Sequence, residues 1–439
     1  MMFWASKVEL KFKMSTKILF FSYYFPPIQS IATRRNASIA QCLQAHFSKV
    51  FVFTTQNNRF LPKTVENTEG VVVESVFTFD YRTLANSLTG KKEQKATHFS
   101  EKTKQNPFVQ FFAVRLLNSF PFNLIFHEGG IVYTLVCFWK AVRLIRKEQI
   151  THLYSSFRPY SDHFTAYLII IFFPKLIWIA DFRDLHIEPQ YKHYLFEDFQ
   201  HWCNRQILKK ANVVTTISEG LASHLKRYKS NVYVLRNGVT FENLDFEKKP
   251  FPKFTVAYTG SMFGEERNPE LFLQVIKSLI NEKILRGDNF QILYAGKDSG
   301  VWQTWINKFE LNEFFESKEM MSAAAAMDIQ RNSHLNLLLT SATPESTGQI
   351  TGKFYEYLAA KNPIIVLIDG VQDVEIESLT HNLNAGCVVY NNRSFAELKD
   401  FIVTNFNHFE KTGDSIQTVK MEKLRELEWS FLVKKFMDT

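Results

Sequence analysis

Short, almost continuous apolar runs recur along this chain, and each one ends in small or polar residues. Residues 17–25 form the first run, residues 33–47 place apolar side chains at helical spacing, and residues 49–55 form the second run. Apolar runs of this length are typical of strands that are buried on both faces of a parallel sheet. The order strand, helix, strand predicts a βαβ unit and restricts the chain to an α/β fold.

The same order recurs in two series that a short charged segment separates. In the first series, further apolar runs occur at residues 150–156, 175–184, 211–216 and 231–239. Residues 241–253 are charged and contain proline, which is typical of a linker. The runs of the second series lie at residues 254–261, 290–297, 334–340, 364–368 and 386–390. We therefore expect two Rossmann-like domains, 14–245 and 253–410, and a C-terminal segment, 411–439, with an amphipathic helix from Thr418 to Met437.

The composition narrows the functional classes without selecting one. Lys and Arg number 52 and Asp and Glu number 44, which gives a net charge of +8 and a pI of about 9.0. This excess is compatible with nucleic acid, anionic lipid or a small anionic ligand as partner. Arg and aromatic residues are not interleaved in a motif typical of nucleic-acid binding, so we expect no nucleic-acid partner. The four cysteines lack CxxC or Cys/His spacing, which argues against a structural zinc site or a disulfide framework.

The distribution of apolar residues predicts a cytoplasmic protein. Residues 1–10 carry no charged leader followed by a long apolar core, so no signal peptide is predicted. The longest apolar stretch, 164–180, contains Pro174 and Lys175 in its middle. A helix followed by a buried strand explains this stretch better than a membrane span, which needs about 20 uninterrupted apolar residues.

One segment, near residues 83–125, fits neither series. Residues 83–106 are polar and rich in lysine, and residues 107–122 are apolar and aromatic with a single arginine. A basic loop beside exposed aromatic groups suits an anionic membrane surface, which predicts a peripheral contact at the inner membrane face. The alternative is a disordered loop followed by an ordinary core helix, and both interpretations stay open.

The segment 348–366 is the best candidate for a binding site. It reads as a small polar loop, a short helix and a buried strand. The loop and the helix N-terminus present backbone N–H groups and a positive dipole end, which suits a phosphate. Lys353 in the first turn adds a positive charge, and Glu356 on the same helix face can accept hydrogen bonds from two sugar hydroxyls. The alternative is a solvated Lys–Glu pair on an ordinary packed helix.

Four local patterns, in the same order along the chain, resemble the GT-B glycosyltransferases and, within them, the retaining family-four type. These patterns are Tyr23-Tyr24-Phe25-Pro26-Pro27, the run from Trp178 to Asp184, Tyr258-Thr259-Gly260-Ser261 followed by Arg267-Asn268-Pro269, and Gly352-Lys353-Phe354-Tyr355-Glu356-Tyr357-Leu358. The resemblance covers nearly the whole chain from Met14. It implies two Rossmann-like domains that face each other across a cleft, with a C-terminal helix that crosses back.

The resemblance also implies roles for individual residues of the second domain. Arg267 and Lys353 would hold the diphosphate of a nucleotide-sugar donor and neutralise its leaving charge, so neither a metal nor another cofactor is expected. Glu356 would bind the ribose hydroxyls. The remaining donor-binding residues are Gly260, Gly348, Gln349, Ile350 and Thr351.

Two groups of the first domain are further catalytic candidates. Asp184 follows Arg183 at the end of a predicted strand, where ligands bind in open α/β sheets, although a structural salt bridge explains this pair equally well. His163 follows another strand end, and its ring could orient or deprotonate an acceptor hydroxyl. A helix cap or a surface histidine is the alternative.

The sequence departs from the family pattern at two positions. Gly348 stands where the family often has a second glutamate, and the first loop has Gln29-Ser30-Ile31-Ala32 instead of a Gly-Gly pair. The predicted function is the transfer of a sugar from a nucleotide sugar, preferably a UDP-sugar, to a sugar acceptor that is lipid-linked or part of a surface polysaccharide. The alternatives are a non-catalytic nucleotide-binding or scaffold protein of the same fold and a nucleotide-sugar epimerase.

Overall fold

A computed structural model describes residues 16–57, 68–80, 115–187, 194–240, 246–262, 267–417 and 419–439. The chain divides into two compact units, and the second interrupts the first. Unit 1 consists of Met1–Arg236 together with Trp429–Thr439, and unit 2 consists of Asn237–Glu428. Each unit has its own parallel sheet and its own hydrophobic core.

The sheet of unit 1 has seven strands among the described residues, and every observed strand pairing is parallel. The strands are β1 Lys17–Phe21, β2 Lys49–Thr55, β3 Val71–Val76, β4 His152–Phe157, β5 Ile177–Phe182, β6 Val213–Thr216 and β7 Val232–Val234. Their order in the sheet is β3-β2-β1-β4-β5-β6-β7, so the order reverses between β1 and β4. The apolar runs of the first series are thus confirmed as strands, and β3 is a strand that the sequence patterns missed.

Helices cover the sheet of unit 1, and the apolar spacing predicted over residues 33–47 corresponds to the first of them. They are α1 Ile31–Leu43, α2 Phe122–Phe126, α3 Gly130–Glu148, α4 Tyr160–Phe172, α5 Glu197–Leu208 and α6 Glu219–Leu225. Ser30 caps α1 and Ser218 caps α6, each through a side-chain oxygen that accepts a backbone N–H. The apolar stretch 164–180 is a helix followed by a buried strand, as predicted.

Unit 2 repeats this architecture, and its described residues form six parallel strands in the order β10-β9-β8-β11-β12-β13. The strands are β8 Phe254–Thr259, β9 Phe290–Ala295, β10 Phe315–Lys318, β11 Leu335–Ala342, β12 Ile364–Gly370 and β13 Gly386–Tyr390. The helices are α7 Glu270–Asn281, α8 Ser299–Lys308, α9 Ala323–Asn332, α10 Gly352–Ala360, α11 Val374–Leu383 and α12 Phe395–Thr412, and a short 3-10 turn spans Asn312–Phe314. The α/β class and the two Rossmann-like sheets are therefore confirmed.

The end of the chain differs from the single helix predicted over Thr418 to Met437, whose first residue lies outside the described residues. Two helices occur instead, α13 Met421–Arg425 and α14 Trp429–Met437. Between them, Glu428 forms a bridge with Val239, and the Val239 N–H donates to the Leu427 carbonyl. This pairing needs extended backbone, which ends α13. Helix α14 then packs on α1 and contributes Trp429, Val433, Phe436 and Met437 to the core of unit 1.

No helix in the described part of the chain is long and apolar enough to cross a membrane. The basic and lysine-rich part of the segment near 83–125, residues 83–106, lies outside the described residues. Of its aromatic part, the described residues begin at Arg115 and include the short helix α2.

Candidate functional site

The candidate site of unit 2 lies at the carboxyl ends of β8 and β11. These two strands are neighbours in the sheet. The strand that follows β8 in the chain, β9, lies on one side of this pair, and the strand that follows β11, β12, lies on the other. Such a reversal point is where open α/β sheets bind ligands. Gly260 follows β8 directly, and the loop 343–351 joins β11 to the N-terminus of α10. The predicted donor-binding residues of unit 2 therefore come from two segments that start at one sheet edge.

Two basic side chains meet at the hydroxyl group of Tyr258. Arg267 Nη1 donates to Tyr258 Oη at 2.9 Å and to the Ser261 carbonyl at 2.8 Å. Lys353 Nζ lies 3.3 Å from the same Tyr258 Oη and 4.5 Å from the centre of its ring. The Tyr258 hydroxyl in turn donates to the Ser261 carbonyl at 2.8 Å. One buried tyrosine therefore fixes the positions of both predicted phosphate-binding cations.

The environment of Lys353 disfavours its positive charge in the ligand-free protein. Burial and, to a smaller extent, the nearby Arg267 guanidinium lower the pKa of Lys353 to about 7, although Glu356 and Asp298 oppose the shift. Near neutral pH this lysine is thus only partly protonated. An anion beside it would stabilise the protonated form, so the site is suited to take up a negative charge together with a proton.

Gly260 makes room for Lys353. Its φ angle is +105°, and an ideal Cβ at this position would lie 2.5 Å from both Cε and Nζ of Lys353. The backbone conformation therefore favours glycine, and any side chain at this position would displace the end of Lys353. The Gly260 N–H donates to the Ala295 carbonyl at 2.7 Å, and the Tyr294 hydroxyl donates to the Gly260 carbonyl at 3.0 Å. The end of β9 thus holds the glycine in place.

The loop after β11 is held by side chains of its own and of α11. Thr343 N–H donates to Ser346 Oγ at 3.0 Å, and Gly348 N–H donates to Asp373 Oδ2 at 2.7 Å. Gly348 has a φ of +77° and is buried. Because its N–H is already bonded to a carboxylate, Gly348 shapes the loop, and its amide is not directed at a ligand in this structure. Asp373 also caps α11, where it accepts from two backbone N–H groups.

The other residues of the predicted loop have different environments. Ile350 is buried in the core, and Gln349 is half-buried. Thr351 is the N-cap residue of α10 by position, but its side chain makes no capping bond. Among the described residues, no hydrogen-bond partner lies near the buried Thr351 Oγ1. The first amides of a helix have no intrahelical acceptor, so the N-terminus of α10 remains suited to an anionic group.

Glu356 is linked to the end of β8 through a buried amide. Gln330 Nε2 donates to Thr259 Oγ1 at 2.8 Å and lies 3.5 Å from Glu356 Oε2. The Thr259 N–H donates to the Tyr357 hydroxyl at 3.2 Å, and burial raises the pKa of Tyr357 well above its usual value. Glu356 is half-buried and close enough to Lys353 to act on its pKa. Contacts and electrostatics therefore join Gly260, Arg267, Lys353 and Glu356 in one cluster.

The two candidates of unit 1 have opposite environments. Asp184 is exposed just beyond the end of β5, and the neighbouring Arg183 donates to the carbonyls of Phe157 and Arg158 at 2.8 and 3.1 Å. His163 is buried between aromatic rings and its Nδ1 lies 2.7 Å from Ser155 Oγ. Burial lowers the pKa of His163 to about 3. A neutral, enclosed ring does not reach a substrate hydroxyl, which argues against His163 as a catalytic base.

The reversal point of unit 1, between β1 and β4, holds carboxylates and tyrosines. Asp162, at the start of α4, accepts from the Tyr23 N–H at 2.8 Å and from the Tyr133 hydroxyl at 2.9 Å. The Tyr23 hydroxyl donates to Asp80 at 2.7 Å. Burial raises the pKa of Asp162 to about 7. At the rim, the Tyr24 hydroxyl donates to the half-buried Glu128 at 2.5 Å.

Several residues of these two clusters are absent from the predicted site. Tyr258 belongs to the motif Tyr258-Thr259-Gly260-Ser261, but its position in an apolar run is that of an ordinary buried strand residue. The contacts that bring Asp373, Gln330, Asp80 and Asp162 to these clusters have no local sequence signal, because the partners in them lie 23 to 139 positions away along the chain. Only the fold brings them to the sheet edges.

The comparisons with known proteins identify the fold. No protein-family model and no curated protein sequence matches the chain. Among solved structures, sucrose-phosphate synthase from Thermosynechococcus elongatus is similar with a TM-score of 0.59 at 10% identity, covering 96% of this chain and 97% of that chain. A glycosyltransferase from Rickettsia africae gives 0.55 at 13% identity, with 97% of each chain covered. WaaG, described as a glycosyltransferase involved in lipopolysaccharide biosynthesis, gives 0.52 at 11% identity, with 96% and 95% covered. The chain therefore has the two-domain GT-B fold.

Proposed function

We propose that this protein is a glycosyltransferase that takes a sugar from a nucleoside diphosphate sugar. The observation that carries the proposal is the meeting of Arg267 and Lys353 at Tyr258 Oη, at the reversal point of the second sheet. Two fixed cations beside a helix N-terminus form a site for a diphosphate. The GT-B fold supports this proposal, since two of the similar structures are described as glycosyltransferases.

Each residue of the cluster has a role in holding the proposed donor. Arg267 offers guanidinium N–H donors that suit phosphate oxygens. The Lys353 amine becomes fully protonated when the phosphate binds and then adds a positive charge. Glu356 accepts hydrogen bonds from the two ribose hydroxyls. Gly260 leaves space for the end of Lys353 beside β8. We favour a uridine nucleotide as the donor.

The proposed reaction retains the configuration of the sugar. The bond between the anomeric carbon and the phosphate oxygen breaks, and the electron pair leaves with the diphosphate. Arg267 and Lys353 stabilise that charge where it develops, which is the electrostatic role that a metal ion takes in other transferases. The acceptor oxygen bonds to the anomeric carbon on the same face, and its proton passes to the leaving phosphate oxygen. This reaction needs no enzymatic nucleophile.

We propose that the acceptor hydroxyl belongs to a sugar that is lipid-linked or part of a surface polysaccharide. The reversal point of unit 1 presents neutral and acidic hydrogen-bonding groups, of which Tyr24 and Glu128 lie at the rim. Such groups bind hydroxyls by donating and accepting hydrogen bonds. Exposed Asp184 beyond β5 is a further candidate contact for the acceptor. The lipopolysaccharide role in the description of WaaG supports an acceptor of this class.

Release of nucleotide from a panel of nucleotide sugars tests the proposed function. We expect slow hydrolysis of one donor by the full chain, and loss of at least about 100-fold in the Lys353→Ala variant because a charge-assisted contact is removed. Lys361→Ala is the matched control, since Lys361 follows the other end of α10. Nucleotide binding without any turnover would support the non-catalytic alternative. Conversion of the sugar while it is attached to the nucleotide would support an epimerase.

A further inference from the structure

One surface of unit 1 carries four large, exposed apolar side chains on two adjacent helices. Leu135 and Trp139 lie one turn apart on the same face of α3, and they are 47% and 62% exposed. Ile171 and Phe172 lie in the last turn of α4, and they are 48% and 66% exposed. Exposed apolar residues normally occur singly, so a group of this size indicates a binding surface. We name these four residues the α3/α4 patch.

The α3/α4 patch is continuous across the two helices. The ring of Phe138 lies 5.6 Å from that of Trp139 and 5.5 Å from that of Phe172, measured between centroids. Phe138 of α3 therefore connects Trp139 on the same helix with Phe172 at the end of α4.

Exposed cations flank the patch. The second half of α3 carries Arg143, Arg146 and Lys147, and Lys175 follows α4. The Arg146 guanidinium lies 5.9 Å from the centre of the Phe173 ring, so charge and apolar surface are adjacent.

Two nearby carboxylates are already paired, Glu74 with Lys140 and Glu148 with Lys17. The flank is therefore positively charged.

We propose that the α3/α4 patch binds the surface of an anionic lipid bilayer. Trp139 and Phe172 enter the boundary between headgroups and acyl chains, and the flanking arginine and lysine side chains contact lipid phosphates. This inference goes beyond the proposed function and needs no nucleotide site. It locates the membrane contact on α3 and α4, outside the lysine-rich segment 83–106.

A second group of exposed aromatic residues lies beside both acidic and basic side chains, since Arg205 is in the last turn of α5 and Lys209 and Lys210 follow it. On α5, Phe199 and Trp202 are 45% and 55% exposed, and their rings stack at 5.9 Å. The first turn of the same helix carries Glu197 and Asp198. These carboxylates repel anionic lipid, so Trp202 provides a matched control for Trp139.

Co-sedimentation of the full chain with vesicles tests the proposal. We expect binding to vesicles of phosphatidylcholine with 30 mol% phosphatidylglycerol, and little binding to phosphatidylcholine alone. The variant Arg143→Glu/Arg146→Glu should bind at least roughly 25-fold more weakly, because each cation near an anionic surface contributes about fivefold. Trp139→Ala/Phe172→Ala should also lose most of its binding. Lys209→Glu/Lys210→Glu and Phe199→Ala/Trp202→Ala are the controls, with two charge reversals and two aromatic truncations elsewhere on unit 1.

An unfolding temperature equal to that of the wild type shows that a variant folds. UDP affinity, titrated without vesicles, should be the same in all variants, which separates this test from that of the proposed function. Equal losses in the patch variants and the controls would contradict the proposal. Equal binding to both lipid compositions would also contradict it. A dimer in sedimentation equilibrium that Trp139→Ala disrupts would assign the patch to a second copy of the chain instead.

Discussion

The two units use the same strand order but place opposite chemistry at their reversal points. In unit 2, Arg267 and Lys353 meet there beside a glycine, and burial lowers the pKa of Lys353 to about 7. In unit 1, the same position holds Asp162, Asp80 and tyrosine hydroxyls, and burial raises the pKa of Asp162 to about 7. The same topology therefore provides a cationic site suited to a phosphate and an acidic site suited to hydroxyls.

The difference shows that strand order selects the place of a site and side chains select its ligand. Asp162 and Lys353 both have a pKa of about 7, so each is close to half protonated at neutral pH. Each can therefore respond to a ligand by changing its protonation. The following predictions test whether the two sites differ in the way that their charges indicate.

The largest expected effect is that of Gly260→Ala on the cationic site. A Cβ at φ +105° and 2.5 Å from Lys353 Nζ strains the backbone and displaces the lysine. We expect UDP affinity, measured by calorimetry, to fall by roughly 100-fold, because an ion-paired hydrogen bond and its geometry are lost. Gly300→Ala is the control, since a Cβ there meets nothing within 4 Å and α8 gains a better helix former. Equal affinities for all three proteins would remove Gly260 from the site.

The next effect concerns the acidic site and the pH dependence of stability. The pKa of Asp162 is about 7 in the folded protein and about 3.8 when unfolded, so the folded state binds the proton more tightly. Its contribution to stability is present below pH 3.8 and is lost as pH rises toward 7, at up to about 1.4 kcal/mol per pH unit. Asp162→Asn removes this loss. In urea unfolding, the free energy of unfolding of the variant should rise relative to that of the wild type between pH 5 and pH 7. A difference that stays constant over this range would contradict the account.

A third effect is the pH dependence of nucleotide binding at the cationic site. A bound phosphate raises the pKa of Lys353 from about 7, so binding takes up a proton. UDP affinity should be highest below pH 7 and should fall by up to tenfold per pH unit above it. Lys353→Arg keeps its charge throughout, so its affinity should stay level from pH 7 to pH 9. A level profile in the wild type as well would separate Lys353 from the phosphate.

The smallest effect is that of Tyr258→Phe. The substitution removes the hydroxyl that accepts from both cations but keeps the ring beside Lys353. We expect UDP affinity to fall by roughly fivefold to tenfold, because about 1 kcal/mol is typical of one hydrogen bond. Loss of folding instead, seen by circular dichroism, would assign the hydroxyl to stability. Tighter binding would show that Tyr258 competes with the ligand for the cations.

Much of the fold could be predicted from the sequence, and so could the two basic residues of the cationic site, but not the contacts that position them. Apolar runs located strands such as β8 and β11 because buried parallel strands need continuous apolar residues. Lys353 and Arg267 belong to local motifs, so residue patterns could find them. The Tyr258 hydroxyl could not be distinguished from an apolar strand residue. The bond between Gly348 and Asp373 depends on the fold, since 25 positions separate the two residues.

The acidic site shows the opposite case, in which local patterns pointed to other residues. His163 follows a strand end like a catalytic base, but α4 turns its ring into the core, where Phe157 and Phe182 surround it. Asp162, its neighbour in sequence, reaches the Tyr23 N–H at the end of β1 instead. Which of two adjacent helix residues faces the sheet edge is decided by helix packing, which sequence spacing does not specify.

The most direct test of the central claim compares UDP with uridine in calorimetric titrations of the wild type, Arg267→Ala and Lys353→Ala. If the two cations bind the diphosphate, the wild type should prefer UDP by at least about 100-fold, and each variant should lose most of that preference while its uridine affinity stays the same. A UDP preference that both variants retain in full would contradict the assignment of the second reversal point as the donor site.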